Sequence, residues 1–249
     1  REDRDIAASV KETLEKKGIV FRMNAKVQSV KHEEDKAIVA FTDLQTNGVF
    51  ELDAEAVLLA TGRRPNTGGL NLEAAGVEVD VRGAIIVDEY LKTTNPNIRA
   101  VGDVKGGLQF TYISLDDYRI VREDLFGDKE RKTNDRNPVS YSVFIDPPLA
   151  RIGLNEEEAC KQNLDIIVKK LPAMAIPRAK TLGEMDGLLK AIIDKNTGKI
   201  LGCMLFAPDS GEVINTVAIA MKAGLDYTFL RDFIFTHPSM SEALNDLFS

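Results

Sequence analysis

The chain has 249 residues, 44% of them hydrophobic and 29% charged, which is the balance of a globular protein with room for one large or two ordinary domains. Its net charge of −7 disfavours nucleic acid as the main partner, because phosphate binding needs clustered Lys and Arg. No apolar run approaches the ~20 residues of a membrane-spanning helix, so no membrane partner is expected. The first residue is Arg1 rather than Met, so the chain reads as a piece cut from something longer, with any targeting segment out of view.

Residues 3–17 predict a helix with Ile6, Val10 and Leu14 on one face, acidic residues leading it and Lys16-Lys17-Gly18 ending it. A short strand is expected at 19–23. Three strand-like runs follow at 25–31, 36–42 and 49–52, joined by turns short enough for an antiparallel meander. Residues 56–60 are apolar throughout, the pattern of a strand covered on both faces. A short helix ended by glycine is expected at 68–76 and a strand at 84–87.

Asn95-Pro96-Asn97 is turn chemistry, and the apolar run Ile98, Ala100, Val101 behind it reads as a short buried strand. Gly102 lets the backbone swing sharply at the strand's C-terminal edge and throws Asp103 out there, where open α/β sheets bind ligands. A carboxylate at that edge either accepts hydrogen bonds from a ligand's hydroxyls or caps the next turn, and spacing alone does not separate the two. Gly106-Gly107-Leu108-Gln109-Phe110-Thr111-Tyr112 then leads into a helix carrying Leu115, Tyr118, Val121 or Arg122, and Leu125. Its first turn would point N–H groups and a positive dipole end at whatever lies near Asp103.

Residues 128–137 are polar and short of apolar side chains, the composition of a linker and domain boundary. Strands are expected beyond it at 139–144, 165–171, 188–194 and 199–206, the last two joined as a hairpin through Lys195-Asn196-Thr197-Gly198. Helices fit 155–162 and 211–223. The second carries Val213, Ile214, Val217, Ala218, Ile219, Ala220 and Met221, so it needs cover on more than one side. Cys160 and Cys203 stand in no C-x-x-C spacing and are expected as small buried hydrophobes. Near the C-terminus, His237 offers an imidazole, a group that can hold or give a proton, with Glu242 as a natural carboxylate partner. Ser239 and Glu242 also fit a capping box ahead of Leu244, Leu247 and Phe248. One His and one Glu are too few ligands for a metal site.

Three ordered stretches carry a resemblance. Thr94, then Ile98, Ala100, Val101, Gly102 and Asp103, resembles the second FAD-binding motif of the flavoprotein disulfide reductases, the family of dihydrolipoamide dehydrogenase, glutathione reductase and mercuric reductase. Ala60-Thr61-Gly62-Arg63-Arg64-Pro65-Asn66 is similar to that family's crossing from the NAD domain back into the FAD domain. His237-Pro238-Ser239-Met240-Ser241-Glu242 resembles its C-terminal His-Pro-x-x-x-Glu pair. The wording of the last stretch, with Gly-Gly-Leu-Gln-Phe-Thr-Tyr, is most like the bacterial branch of reactive-chlorine-responsive flavoprotein reductases, linked to copper or mercury reduction.

The resemblance implies an α/β and α+β architecture. Partial NAD- and FAD-binding doubly wound domains (residues 1–62 and 63–133) precede an antiparallel-sheet dimerisation domain (134–249). It implies an oxidoreductase using FAD and NAD(P)H, cytoplasmic, acting on a small-molecule, disulfide or metal-ion substrate. Asp103, with Gly102, Gln109, Phe110, Thr111, Gly62 and Arg63, would bind the cofactor. His237 and Glu242 would be the catalytic pair, supplied across a homodimer formed through residues 138–249, with the His237–Pro238 bond cis. No G-x-G-x-x-G occurs in the chain, and no redox-active C-x-x-x-x-C. The expectation is therefore a C-terminal portion, inactive alone and binding neither cofactor tightly; the alternative is a non-catalytic dimerising module.

Overall fold

The computed structural model describes residues 2–249. Its contacts divide into two units: residues up to Asn24 together with Pro138–Ser249, and Ala25–Asn137. In chain order the elements are α1 (Arg4–Lys16), β1 (Ala25–Glu33), β2 (Lys36–Asp43), β3 (Val49–Ala54) and α2 (Thr111–Phe126). They continue with β4 (Tyr141–Val143), β5 (Leu149–Gly153), α3 (Glu156–Lys161), β6 (Ile166–Pro172), α4 (Pro177–Leu182), β7 (Leu188–Asp194) and β8 (Ile200–Phe206). Helices α5 (Ser210–Lys222), α6 (Tyr227–Asp232) and α7 (Ala243–Leu247) complete the chain.

The unit ending in Ser249 is built on a five-stranded sheet of order β4-β5-β8-β7-β6, with every neighbouring pair antiparallel. Alternation along the strands sends Ala150, Ile152, Leu189, Ala191, Ile193, Cys203 and Leu205 to one face. There they pack with Val213, Ile214 and Val217 of α5 and Leu244 and Leu247 of α7. The other face carries Leu149, Ile192, Met204 and Phe206 and is closed by Ile6 of α1 and Ala159 of α3. Lys190 lies on that second face, opposite Met204 in the ladder, with its side chain 1% exposed. Its ammonium reaches Asp3 at 2.8 Å, Asp5 at 3.1 Å and Glu156 at 2.6 Å. Asp3 also accepts from the Glu156 N–H and so serves the start of α3. A buried charge survives only with such partners.

The other unit holds the expected antiparallel meander β1-β2-β3, with Phe41 stacked on Phe50 at 5.7 Å between centroids. A small core of Val77, Ile85 and Ala100 supports the loops between β3 and α2.

Several sequence expectations are corrected. Residues 19–23 and 56–60 are not strands, and Val20, Leu58 and Leu59 are largely exposed. A strand exists through its ladder, and no segment of the described residues pairs with either run. Residues 68–76 form turns rather than a helix. Residues 84–87 and 98–101 contribute only the single bridges Val79–Ile85 and Lys92–Arg99. Helix α2 buries Ile113, Asp116, Asp117, Ile120 and Asp124, while Leu115, Tyr118 and Leu125 are exposed, so its inward face is the opposite of the apolar stripe. The three aspartates are paired with Arg and Lys, which offsets the cost of their burial. Cys203 is buried as expected, but Cys160 is exposed, because the short α3 turns Ala159 inward and its neighbour outward. Helix α5 is covered on one side only within the chain, and Ile219 stays 70% exposed.

Candidate functional site

The Asp103 turn is fixed by backbone geometry first. Gly102 sits at φ +69°, a region that L side chains rarely adopt. A Cβ there would stand 3.0 Å from Ser114 Oγ on α2, so a side chain at this position would also press on the helix. A 3₁₀ turn, Gly102–Lys105, follows. Gly102 is buried, while the Asp103 side chain is 50% exposed and faces Arg63, whose Nη1 lies 3.6 Å from Asp103 Oδ2. The Gly102 N–H donates to Asp117 Oδ2 at 2.8 Å. No side chain caps the start of α2 at Phe110, and the first helical residues, Thr111 and Tyr112, are exposed.

The structure therefore brings Gly62-Arg63, Gly102-Asp103 and the Gln109-Phe110-Thr111 approach to α2 into one unit, with Arg63 and Asp103 in contact. An outward carboxylate beside an uncapped helix N-terminus suits a ligand that offers hydroxyl donors to the one and hydrogen-bond acceptors to the other.

The second constellation is in the unit ending at Ser249. The His237–Pro238 bond is cis, as the resemblance implied. His237 is 70% exposed, and its Nδ1 lies 2.7 Å from Glu242 Oε2. The other carboxylate oxygen of Glu242 accepts from the Ser239 N–H at 3.2 Å, and the Glu242 N–H donates to Ser239 Oγ at 3.2 Å. One carboxylate thus serves both the imidazole and the turn, so the two sequence readings coexist. The helix itself begins three residues later than a capping box at Ser239 implies, at Ala243 rather than Met240.

Buried Met240, Ala243, Leu244, Leu247 and Phe248 hold this turn onto the core, so that the imidazole stands out from a rigid base. Asn245 of α7 adds a clamp that sequence reasoning missed. Its Nδ2 donates toward the carbonyls of Leu230, Arg231 and Phe233 at 2.8–2.9 Å, tying down the chain that leads to His237. An acceptor carboxylate at Nδ1 makes that nitrogen the donor and leaves Nε2 as the outward-facing nitrogen.

Among the described residues no group of three or more His, Cys, Asp or Glu is placed to hold a metal ion, and no helix is long and apolar enough to cross a membrane.

Comparison with known proteins matches two family models along the chain. Residues 139–248 match the pyridine nucleotide-disulphide oxidoreductase dimerisation domain, and residues 1–117 match the pyridine nucleotide-disulphide oxidoreductase family. The chain is 52% identical over all 249 residues to the probable pyridine nucleotide-disulfide oxidoreductase RclA of Escherichia coli (strain K12), covering 55% of that protein. It is 34% identical over 243 residues to a mercuric reductase of Bacillus cereus, covering 97% of this chain and 38% of the relative. The structure of the Cu(II) complex of the HOCl-induced flavoprotein disulfide reductase RclA from Escherichia coli superposes with a TM-score of 0.93 at 51% identity. It covers the whole of this chain and 55% of that one. The chain spans about half the length of RclA and less of the mercuric reductase. With the Gly102-Asp103 turn, the His-Pro-x-x-x-Glu turn and both domain matches in one order along the sequence, the chain belongs to the pyridine nucleotide-disulphide oxidoreductase family.

Proposed function

We propose that this chain is the C-terminal half of an FAD-dependent NAD(P)H oxidoreductase that reduces a disulfide or a metal ion, working as a homodimer. Residues 1–62 belong to its NAD-binding domain, 63–133 to its FAD-binding domain and 134–249 to its dimerisation domain. A bound FAD would supply the two-electron chemistry between NAD(P)H and a cysteine pair. This chain's residues bind and position. Asp103, beside Gly102, would accept hydrogen bonds from the flavin's hydroxyls, and the Gln109-Phe110-Thr111 entry to α2 would offer the flavin its backbone N–H groups. Gly62 and Arg63 line the same site.

His237, oriented by Glu242, holds or gives up at Nε2 the proton that thiol–disulfide exchange requires. The reading is carried by one observation, the 2.7 Å contact between His237 Nδ1 and a carboxylate that the Ser239 turn fixes in place. The Cu(II) complex of the Escherichia coli relative supports a metal ion among the substrates. Both cysteines of the chain are free thiols, as in a reducing cytoplasm.

Two measurements test the proposal on the chain itself. Titration calorimetry with FAD is expected to give no sub-micromolar binding. The glycine-rich loops that cradle pyrophosphate are absent from this sequence, and a partial site must still overcome association entropy. Sub-micromolar affinity would overturn the division of the site. Light scattering at micromolar concentration is expected to give twice the 27.4 kDa chain mass. The two-fold interface would include α5, with its exposed Ile219, and exceed ~1,000 Å². A monomer with α5 open to solvent would contradict it.

A further inference from the structure

Asp117 is the most enclosed carboxylate of its unit, and the proposed chemistry leaves it without a role. Its side chain is 0% exposed on the inward face of α2. Oδ2 accepts from the Gly102 N–H at 2.8 Å and pairs with Lys105 Nζ at 3.4 Å, while Oδ1 accepts from Arg136 Nη2 at 2.8 Å. Gly102 and Lys105 bracket Asp103 in sequence. One oxygen therefore grips both sides of the residue whose own carboxylate stays outside. The Gly102 amide bonds to a helix side chain, so the turn is fixed relative to α2 itself. Asp117 lies six residues into that helix, about 9 Å along its axis from the uncapped start. The anchor sets the outward carboxylate and the helix N-terminus in one frame. A neutral acceptor would suffice for the Gly102 N–H alone. A buried charge there matches two cations, and Arg136 brings in the last residues of the unit, where its Nε also pairs with Asp116 at 2.9 Å.

We infer that Asp117 is the positioning residue of the flavin-binding turn, holding Asp103 in orientation through the Gly102 amide, the Lys105 ammonium and the Arg136 guanidinium. The inference rests on the proposal that Asp103 binds flavin hydroxyls. Three variants test it: Asp117→Ala, Asp117→Asn, which keeps the shape and one acceptor, and the control Asp116→Asn, which shares Arg136 with Asp117 but contacts neither Gly102 nor Lys105.

In the 249-residue chain, amide hydrogen exchange at Gly102 is expected to quicken by about tenfold or more in Asp117→Ala, the scale of a lost charged hydrogen bond. Asp117→Asn should fall between it and the parent, and Asp116→Asn should match the parent. In the full-length protein, well below each variant's melting midpoint, the Kd for FAD is expected to weaken by about tenfold in Asp117→Ala. It should hold within about twofold in Asp116→Asn, which leaves the bonds of Asp117 to Gly102 and Lys105 in place. Gly102 exchange unchanged in both Asp117 variants would overturn the inference, as would faster exchange with unchanged FAD affinity. An Asp103→Ala variant measured beside them separates the two claims. If it too leaves FAD affinity unchanged, the flavin reading of Asp103 has failed; if it weakens binding while Asp117→Ala does not, only the positioning role has failed.

Discussion

In the full-length protein, His237→Ala lowers the rate of NAD(P)H-dependent disulfide reduction by about 10²–10⁴-fold, the range of a lost general acid–base group. The loss falls on kcat at saturating disulfide. Flavin content is expected to be unchanged, because the role proposed for the imidazole is proton transfer and not cofactor binding. Glu242→Gln removes the charge that orients the ring while keeping its shape, and its neighbours Ser239 and Met240 still fix the backbone. Its effect is smaller than that of His237→Ala and in the same direction. Steady-state kinetics with purified variants checks both, and a His237→Ala protein within about twofold of the parent rate would remove the proton-transfer role.

Lys190→Met destabilises the unit ending in Ser249 by about 2–3 kcal/mol. Removing one partner of a fully enclosed ion pair costs about 3–5 kcal/mol, because the remaining charge has no counterpart. Here the carboxylates differ. Asp3 is 6% exposed, whereas Asp5 and Glu156 keep 28% and 44% of their side-chain surface in water and recover solvation. The effect therefore falls below the enclosed limit. Urea unfolding should show a lower midpoint at unchanged slope, and an unchanged midpoint would mean that the cluster is solvated in the folded state.

The same cluster sets a pH window. Burial would raise the Asp5 carboxyl, but hydrogen bonds from Lys170 and Lys190 outweigh it and hold it below its ordinary 3.8. Burial would lower Lys190, but Asp3, Glu156 and Asp5 outweigh it and hold it above its ordinary 10.5. The Asp5 contribution is present above 3.8 and is lost as pH falls through its lower folded value. The Lys190 contribution is present below 10.5 and is lost as pH rises through its higher folded value.

These charged residues also mark where the sequence was hard to read. Four strands of the five-stranded sheet were legible because each alternates or runs apolar and pairs within the chain, as 188–194 and 199–206 do across their Asn-Thr-Gly turn, whereas β5, only five residues long at Leu149–Gly153, was missed. The His237–Glu242 pair was legible because its residues lie five apart in one turn, and the glutamate's double duty follows from two oxygens and two nearby donors. Helix α2 was read from the wrong side because Asp116, Asp117 and Asp124 look like a solvated face, and their cations Arg131, Arg136 and Arg99 come from distant positions. Lys190 was hidden likewise, since Asp3 and Asp5 lie over 180 residues away. Residues 19–23 and 56–60 carry strand composition, but composition does not supply a neighbouring strand.

The tautomer of His237 tests the central claim most directly, and the 249-residue chain suffices for it. Two-bond ¹H–¹⁵N correlation spectra of the neutral imidazole should show Nδ1 protonated and Nε2 bare, with Glu242→Gln relaxing that preference toward a mixture. Protonated Nε2 dominating in the parent chain, or a pattern that Glu242→Gln leaves unchanged, would contradict an acid–base pair preorganised by the Ser239–Glu242 turn.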